Sequence, residues 1–264
     1  MASRKEQKEQ ARAAREAAQR EATRADQRAR RMKLLGGGVG VAVIIVVVAI
    51  AVSSGGGSKG SSSNLIKAGS EATSLVKAVD QELAGAPQSG MRLGRASAPV
   101  QMTYFGDLQC PVCRDFSLQI LPDVIANYVA NGKMSIVYRS LETASPDPSV
   151  FHTQQVAAYA AGRQDKAWQF VELFYHQQGD EGTAYVDEAY LTGIARQIKG
   201  LDVKRWQADR KIAKLSDQVS ADASAASAAG ASATPTLVLK GPKGTQTLPS
   251  YSLDDIKSGY DAVA

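Results

Sequence analysis

The chain of 264 residues is short of the side chains that build cross-linked or metal-rich proteins, since it has two cysteines and two histidines. Two cysteines exclude a disulfide-dense scaffold and a zinc site made of four cysteines. A mixed zinc site would need every one of them together: Cys110, Cys113, His152 and His176. The apolar fraction of 44% and the charged fraction of 22% are ordinary for a globular protein. The composition therefore excludes a wholly disordered or fibrous chain.

An excess of basic residues is confined to the N-terminus. Of the 31 basic and 26 acidic residues, residues 1–33 hold 11 and 5, which leaves 20 and 21 in residues 34–264. The bulk of the chain therefore carries no nucleic-acid signature, and we predict no nucleic-acid partner. We interpret the tail as a topology signal, with attraction to anionic lipid headgroups as the alternative.

One long uncharged run follows the tail. Residues 34–52 are 19 residues without a charge, and a spanning helix needs about 20 predominantly apolar residues. A buried core helix and a cleaved signal peptide are the alternatives, but the length of the run and of the stretch before it favours a single-pass transmembrane anchor in the lipid bilayer. Basic residues crowd its N-terminal flank, which predicts a cytoplasmic tail and an extracytoplasmic C-terminal part. Residues 53–63 are rich in glycine and serine and predict a flexible tether.

Beyond the tether, strand and helix patterns alternate. Short apolar runs predict four strands, at residues 100–105, 134–139, 236–239 and 245–248. Helical periodicity predicts helices over 64–84, from the cysteines past a kink at Pro122, and over about 152–161, 166–177, 187–198, 203–229 and 253–263. Residues 85–98 predict a loop, because glycine and proline are clustered there. The order is βα, β, a helical block and ββα, an α/β arrangement.

A Cys-x-x-Cys motif lies between the first predicted strand and the helix after it, as Cys110-Pro111-Val112-Cys113. Cys110 then lies at a helix N-terminus, where unpaired N–H groups and the helix dipole stabilise a thiolate. Pro111 suits the first turn, because its missing N–H has no acceptor there. Cys113 lies one turn on, within reach to close a disulfide or to resolve a mixed one. The sequence therefore predicts a redox-active cysteine pair.

Three other interpretations of the cysteines compete. A structural disulfide across two residues would constrain little of the unfolded chain. Half of a zinc site would need His152 and His176, which do not lie at the usual ligand spacing, and inert thiols do not suit an oxidising compartment. We predict no metal, and we expect both histidines to be surface or packed residues of helices. For Thr234-Pro235, the residues alone predict a plain turn proline, because about 5–6% of X-Pro bonds are cis.

With these motifs in view, the chain resembles the DsbA-like group of thioredoxin-fold proteins, in particular membrane-anchored members of Gram-positive and actinobacterial type. The matching segments are residues 104–113, Leu121-Pro122, Tyr128, and residues 132–139, 200–203 and 230–236. The resemblance covers about residues 94–264, with residues 64–93 as a preceding helix and connecting loop. It implies a thioredoxin-like α/β fold with a helical insertion over about 145–230 that caps the active site.

The resemblance also implies roles for four residues. Cys110 would attack or be attacked, and Cys113 would resolve the mixed disulfide. Pro235 would be cis and would face the cysteine pair, while Thr234 would offer its backbone to an extended substrate. No cofactor is implied. The substrates would be thiols of secreted or cell-envelope proteins, and a quinone-linked membrane oxidase would reoxidise the pair.

The direction of the reaction stays open at this point. Strongly oxidising DsbA proteins carry histidine where this chain has Val112, and that histidine stabilises the thiolate. A single Cys-x-x-Cys without a second domain favours disulfide formation over isomerisation, so we expect a membrane-tethered oxidase. A disulfide reductase or isomerase, a redox sensor acting through the tail, and a tethered chaperone-like module that does not need its thiols are the alternatives.

Overall fold

The structure is a computed structural model, and it describes residues 65–264. The predicted tail (1–33), transmembrane anchor (34–52) and tether (53–63) lie outside the described residues. Within residues 65–264, no helix is both long enough and apolar enough to cross a membrane. The described part contains the predicted α/β domain.

One mixed sheet forms the centre of this domain. Its strands are β1 Gln88–Ser89, β2 Arg92–Leu93, β3 Val100–Gly106, β4 Met134–Ser140, β5 Thr236–Gly241 and β6 Gly244–Thr247. Their order across the sheet is β1-β2-β4-β3-β5-β6, with β3 parallel to β4 and antiparallel to β5. A parallel pair needs a crossover, and the helical segment after the cysteines supplies it. All four predicted strands are confirmed, including the hairpin of β5 and β6.

The helices within residues 65–264 surround the sheet. They are α1 Gly69–Glu82, α2 Pro111–Gln119, α3 Leu121–Val124, α4 Pro148–Gly162, α5 Ala167–His176, α6 Glu188–Gln197, α7 Val203–Asp209, α8 Ala213–Ala228 and α9 Leu253–Val263. A π-helical turn, Ile125–Val129, continues α3. The kink predicted at Pro122 is a full break in the structure, since α2 ends just before Ile120 and α3 begins one residue before the proline. A proline in a helix interior would remove a backbone hydrogen bond.

The single helix predicted over 203–229 is wrong, because the chain forms two helices there, α7 and α8. Trp206 is fully buried and donates its indole N–H to the Ala157 carbonyl in α4 at 2.8 Å. In α8, Asp222 pairs instead with Arg139 of β4 at 2.9 Å. Tyr159 of α4 also donates to Asp222, so both helices pack against α4, and the break between them lies at Ile212, where the backbone is extended (φ −76°, ψ 117°). The helical periodicity alone carries no sign of these two partners.

The loop predicted over 85–98 is wrong in part, because it contains β1 and β2. Leu93 is completely buried and pairs with Ile136, while Arg92 pairs with Val137. These two-residue strands therefore extend the sheet beside β4. Segments this short have no periodicity of their own, and the pairing with a strand some 40 residues away creates them.

The predicted helical insertion is confirmed as α4 to α8. Its core is aromatic, and the fully buried rings include Trp168, Phe170, Phe174, Tyr190 and Trp206. Helix α5 is buried on nearly all sides, since it packs between α4 and the active-site helix α2. The insertion is therefore continuous with the core beneath the cysteines. It can hold residues 107–113, called the active-site segment below, in place.

Candidate active site

Cys110 is the N-cap residue of α2, and the helix begins at Pro111. Strand β3 ends at Gly106, so three residues separate the end of the strand from the first cysteine. The backbone N–H of Cys113 donates to Cys110 Sγ at 3.4 Å. An N-cap side chain that accepts a hydrogen bond satisfies one of the free donors of the first turn. The predicted position of the motif at a strand-to-helix junction is thus confirmed.

The two thiols differ strongly in environment. The pKa of Cys110 is lowered to about 6, first by a hydrogen bond from the Cys113 side chain and also by Thr234 and the backbone N–H groups of Val112 and Cys113, against the opposing effect of burial. Cys113 is completely buried, and that burial, followed by its hydrogen bond to Cys110, raises its pKa well above the ordinary value. Cys110 is therefore the thiolate of the pair at neutral pH, and Cys113 keeps its proton.

The loop between α8 and β5 that contains Thr234 and Pro235, called the proline loop below, lies against the first cysteine. The thiol of Cys110 donates to the Thr234 carbonyl oxygen at 3.5 Å, across 124 residues of chain. The peptide bond between Thr234 and Pro235 is cis. This agrees with the resemblance and corrects the plain turn proline predicted from the residues alone. The low frequency of cis X-Pro bonds gives no information on which individual bonds are cis. The fold brings all four predicted site residues together.

An aspartate that the sequence analysis missed lies beneath the motif. Asp107 is completely buried, and its carboxylate accepts backbone N–H groups of residues 143–145. Residue 143 is in turn adjacent to the proline loop, because Thr143 Oγ1 lies 2.5 Å from Thr234 Oγ1. A carboxylate is costly to bury unless hydrogen bonds compensate it. An acidic residue between a buried strand and the motif was the available signal.

The helical insertion holds the active-site segment by its carbonyl groups. Gln178 donates through Nε2 to the carbonyls of Leu108 at 2.8 Å and Cys110 at 3.1 Å. The Tyr175 hydroxyl donates to the Asp107 carbonyl at 3.2 Å. Tyr175 also lies 3.0 Å from the hydroxyl of Tyr104 in β3. These polar side chains are all buried, and their pairing depends on tertiary contacts that the sequence does not reveal.

Val112 presents an apolar side chain between the cysteines. It is 39% exposed, and among residues 65–264 it is the one large hydrophobic residue that is exposed.

The two histidines are packed in helices as predicted. His152 Nε2 lies 2.7 Å from Ser216 Oγ, and burial lowers the pKa of His176. In the described part of the chain, no three His, Cys, Asp or Glu side chains form a group that could hold a metal ion.

Comparisons with known proteins agree with this geometry. The family model described as Thioredoxin matches residues 87–255. A relative from Bacillus anthracis, named probable disulfide bond formation protein D, is 24% identical over 170 residues, which are 64% of this chain and 76% of that protein.

Two solved structures share the fold. BdbD from Bacillus subtilis, in its oxidised form, has a TM-score of 0.58 at 20% identity and covers 67% of this chain and 95% of its own. The alpha-DsbA1 protein of Wolbachia pipientis has a TM-score of 0.53 at 19% identity, covering 66% and 89%. With its family model, its Cys-x-x-Cys at a helix N-terminus and this fold, the chain belongs to the thioredoxin family as a DsbA-like thiol–disulfide oxidoreductase.

Proposed function

We propose that this chain is a membrane-tethered, extracytoplasmic oxidase that forms disulfides in secreted and cell-envelope proteins through Cys110-Pro111-Val112-Cys113. The observation that carries the proposal is the asymmetry of the two thiols. Cys110 has a pKa lowered to about 6, whereas burial keeps Cys113 protonated. A stabilised thiolate favours the reduced form of the pair, and a pair that prefers its reduced form oxidises its substrates.

The reaction begins with a Cys110–Cys113 disulfide. A substrate thiolate attacks Cys110 Sγ, the sulfur–sulfur bond breaks, and Cys113 leaves and takes up a proton. The second substrate thiolate then attacks the substrate sulfur of the mixed disulfide and releases Cys110 as a thiolate. Two electrons pass from the substrate to the pair, and the substrate gains one disulfide. The low pKa of Cys110 suits this second step, because thiols of low pKa leave faster.

Thr234 and Pro235 would bind the substrate backbone during this exchange. The carbonyl of Thr234 lies within 3.5 Å of Cys110 Sγ, so a peptide joined to that sulfur would run along the proline loop. An extended peptide can pair with exposed backbone groups in the manner of an added strand. In a mixed disulfide Cys110 has no S–H to donate, which leaves the Thr234 carbonyl as an acceptor that a substrate N–H can reach.

The partners and location follow from the sequence and from the relatives. Residues 34–52 would anchor the chain in the bilayer with residues 1–33 in the cytoplasm, and residues 53–63 would let the domain move near the membrane surface. A quinone-linked membrane oxidase would remove the two electrons and restore the disulfide. Resistance of the chain to alkaline extraction from membranes, with protease access to the domain from outside the cell, would test the anchor.

The reduction potential of the pair is the decisive measurement. The full chain in detergent is equilibrated with glutathione buffers, its free thiols are trapped by alkylation, and Cys110→Ser serves as the control without a redox pair. A potential near or above about −150 mV is expected for a disulfide-forming oxidase. A value near −250 mV, close to that of thioredoxin, would overturn the oxidising direction.

A disulfide reductase or isomerase is the second candidate, and exposed Val112 is the observation that favours it. Valine offers no hydrogen bond or charge to the neighbouring thiolate, so the whole stabilisation has to come from the backbone, Cys113 and Thr234. The potential separates the two directions. A tethered binding module would instead keep its full activity in Cys110→Ser, whereas either redox activity would be lost.

A further inference from the structure

The carboxylate of Asp107 accepts six hydrogen bonds. Oδ1 accepts from the Gln109 N–H at 3.0 Å, the Ser145 hydroxyl at 2.8 Å and Gln154 Nε2 at 3.2 Å. Oδ2 accepts three successive backbone N–H groups, from Thr143 at 3.0 Å, Ala144 at 2.9 Å and Ser145 at 3.0 Å. These six hydrogen bonds compensate the burial of the carboxylate and join the active-site segment to a second part of the chain. The donors come mainly from one loop, residues 143–145.

That loop is in contact with the proline loop. Thr143 Oγ1 lies 2.5 Å from Thr234 Oγ1, and the Thr234 carbonyl accepts from Cys110 Sγ at 3.5 Å. With Cys110 protonated, a path of hydrogen bonds therefore runs from Asp107 through Thr143 and Thr234 to the first cysteine, and in the thiolate the Thr234 side chain supplies the last hydrogen bond. Asp107 is also linked to Cys110 directly along the chain. It lies three residues before Cys110, and its backbone carbonyl accepts the Cys110 N–H at 3.0 Å.

We propose that Asp107 is a positioning residue that sets the distance and orientation between Cys110 and the proline loop, acting through Thr143. The residue lies at the base of the active-site segment, and its carboxylate determines where the facing loop can lie. The inference deepens the proposed function, because it rests on the assignment of Cys110 as the exchanging cysteine. It does not depend on whether the pair oxidises or reduces its substrates.

The hydroxyl of Thr143 gives this path a chemical consequence. When Thr143 donates to Thr234 Oγ1, the hydroxyl proton of Thr234 is free to point at the sulfur of Cys110. A hydrogen bond from the Thr234 side chain is one of the groups that lower the pKa of Cys110. Without Thr143 in place, the Thr234 hydroxyl loses the partner that orients it, and the thiolate loses part of its stabilisation.

A purely structural role for Asp107 makes a different prediction. A buried carboxylate that only stabilises the fold would, when changed, lower the free energy of unfolding without altering the chemistry of Cys110. Because Asp107 accepts the Thr143 N–H directly, the two variants can be coupled in the free energy of unfolding under either role, so additivity is judged on the pKa of Cys110 alone. The pKa of the Cys110 thiol and the additivity of the two variants therefore distinguish positioning from stabilisation.

The test uses Asp107→Asn, Thr143→Val and the double variant in the reduced full chain. The asparagine of D107N has the same shape as the aspartate. Its NH2 group, however, must face hydrogen-bond donors whichever way the amide is turned, because each oxygen of Asp107 accepts three hydrogen bonds. Thr143→Val removes one hydroxyl and leaves the backbone donors of the loop in place. Thr143→Ser keeps the hydroxyl. Asp147→Asn is the control, because Asp147 is an aspartate that also accepts a backbone N–H, that of Ser149 in the first turn of α4 at 2.7 Å, but it does not contact the proline loop.

The thiolate absorbance at 240 nm and the pH dependence of alkylation give the pKa of Cys110. We expect D107N and T143V each to raise it by at least about half a unit, with the double variant no higher than D107N, and T143S and D147N to match the wild type. With a model dithiol peptide, KM is expected to rise more than kcat falls, because the proline loop is displaced.

An unchanged pKa in T143V, or an additive double variant, would overturn the proposal. If D107N fails to fold, Ser145→Ala takes its place in the double variant with T143V, because it removes the 2.8 Å hydrogen bond from the Ser145 hydroxyl to the Asp107 carboxylate and leaves that carboxylate in place. An unchanged pKa of Cys110 in S145A, with T143V shifted, would overturn the role of Asp107. If the wild-type Cys110 itself titrates at the ordinary value of a cysteine, the proposed function fails. The positioning role fails only if the variants leave the pKa of Cys110 equal to that of the wild type.

Discussion

Removal of the Cys113 side chain should raise the pKa of Cys110 and so weaken the thiolate on which exchange depends. The hydrogen bond from that side chain is the largest of the groups that hold the pKa of Cys110 at about 6. Cys113→Ala deletes this donor, while Cys113→Ser replaces the thiol with a hydroxyl that still donates. The helix N–H groups of residues 112 and 113 remain in both variants. We therefore expect a rise of about one unit or more in C113A and a smaller rise in C113S.

The size of the effect at pH 7 follows from the two pKa values. A thiol with a pKa of about 6 is about 90% ionised at pH 7, whereas an ordinary cysteine near 8.5 is about 3% ionised. This difference stabilises the folded dithiol by about 1.4 kcal/mol at pH 7, which corresponds to about 30 mV for a two-electron couple. Because the folded pKa is the lower one, the contribution is complete above about pH 8.5 and is lost as the pH falls through about 6.

The assay is the rate of alkylation of Cys110 as a function of pH in reduced wild type, C113A and C113S. A midpoint near pH 6 is expected in the wild type, with the midpoint of C113A displaced toward 8.5. In parallel, urea unfolding of reduced wild type at pH 5 and pH 8 should show greater stability at pH 8 relative to Cys110→Ala. A wild-type midpoint above about pH 8, or equal midpoints in C113A and C113S, would refute the reasoning.

Three further predictions concern the buried surroundings of the site. Gly106→Ala is expected to destabilise the fold by about 1–3 kcal/mol in urea unfolding, because the added Cβ would lie 2.8 Å from the Tyr138 ring. Tyr104→Phe is expected to cost about 1 kcal/mol, since it removes the hydroxyl that lies 3.0 Å from that of Tyr175. Burial raises the pKa of Glu82 to about 7, so wild-type stability should fall as the pH rises toward and through 7, and Glu82→Gln should flatten that decline.

Less buried positions provide the controls for Tyr104→Phe and Glu82→Gln. Tyr251→Phe and Glu71→Gln make the same chemical changes at a partly buried and an exposed site, and both should stay within about 0.5 kcal/mol of the wild type. Equal stability in G106A would mean that the ring of Tyr138 can move aside. A Glu82→Gln profile that runs parallel to the wild type between pH 5 and 8 would contradict the raised pKa of Glu82.

Much of the site was predictable from the sequence, because its main features are local. A buried strand, two cysteines three residues apart and a helical period after them determine that Cys110 lies at a helix N-terminus. Peptide dipoles and free N–H groups follow from that position without any knowledge of the fold. The strands that face the core, the hairpin of β5 and β6 and the closing helix were predictable for the same reason, since hydrophobic periodicity is a property of neighbouring residues.

The tertiary structure decided what depends on distant partners. The cis bond before Pro235 and its approach to Cys110 join residues 124 apart, and the residues alone favoured a plain turn there. The hairpin of β1 and β2 exists because β4 offers it a paired edge, and the helix over 203–229 is divided at Ile212, where the backbone is extended between the buried contacts of Trp206 and Asp222. The sequence by itself determined which cysteine lies at the positive end of the helix dipole. Only the packed fold, which buries Cys113 and aligns Asp107 with the loop of Thr143, determined how far the two thiols differ.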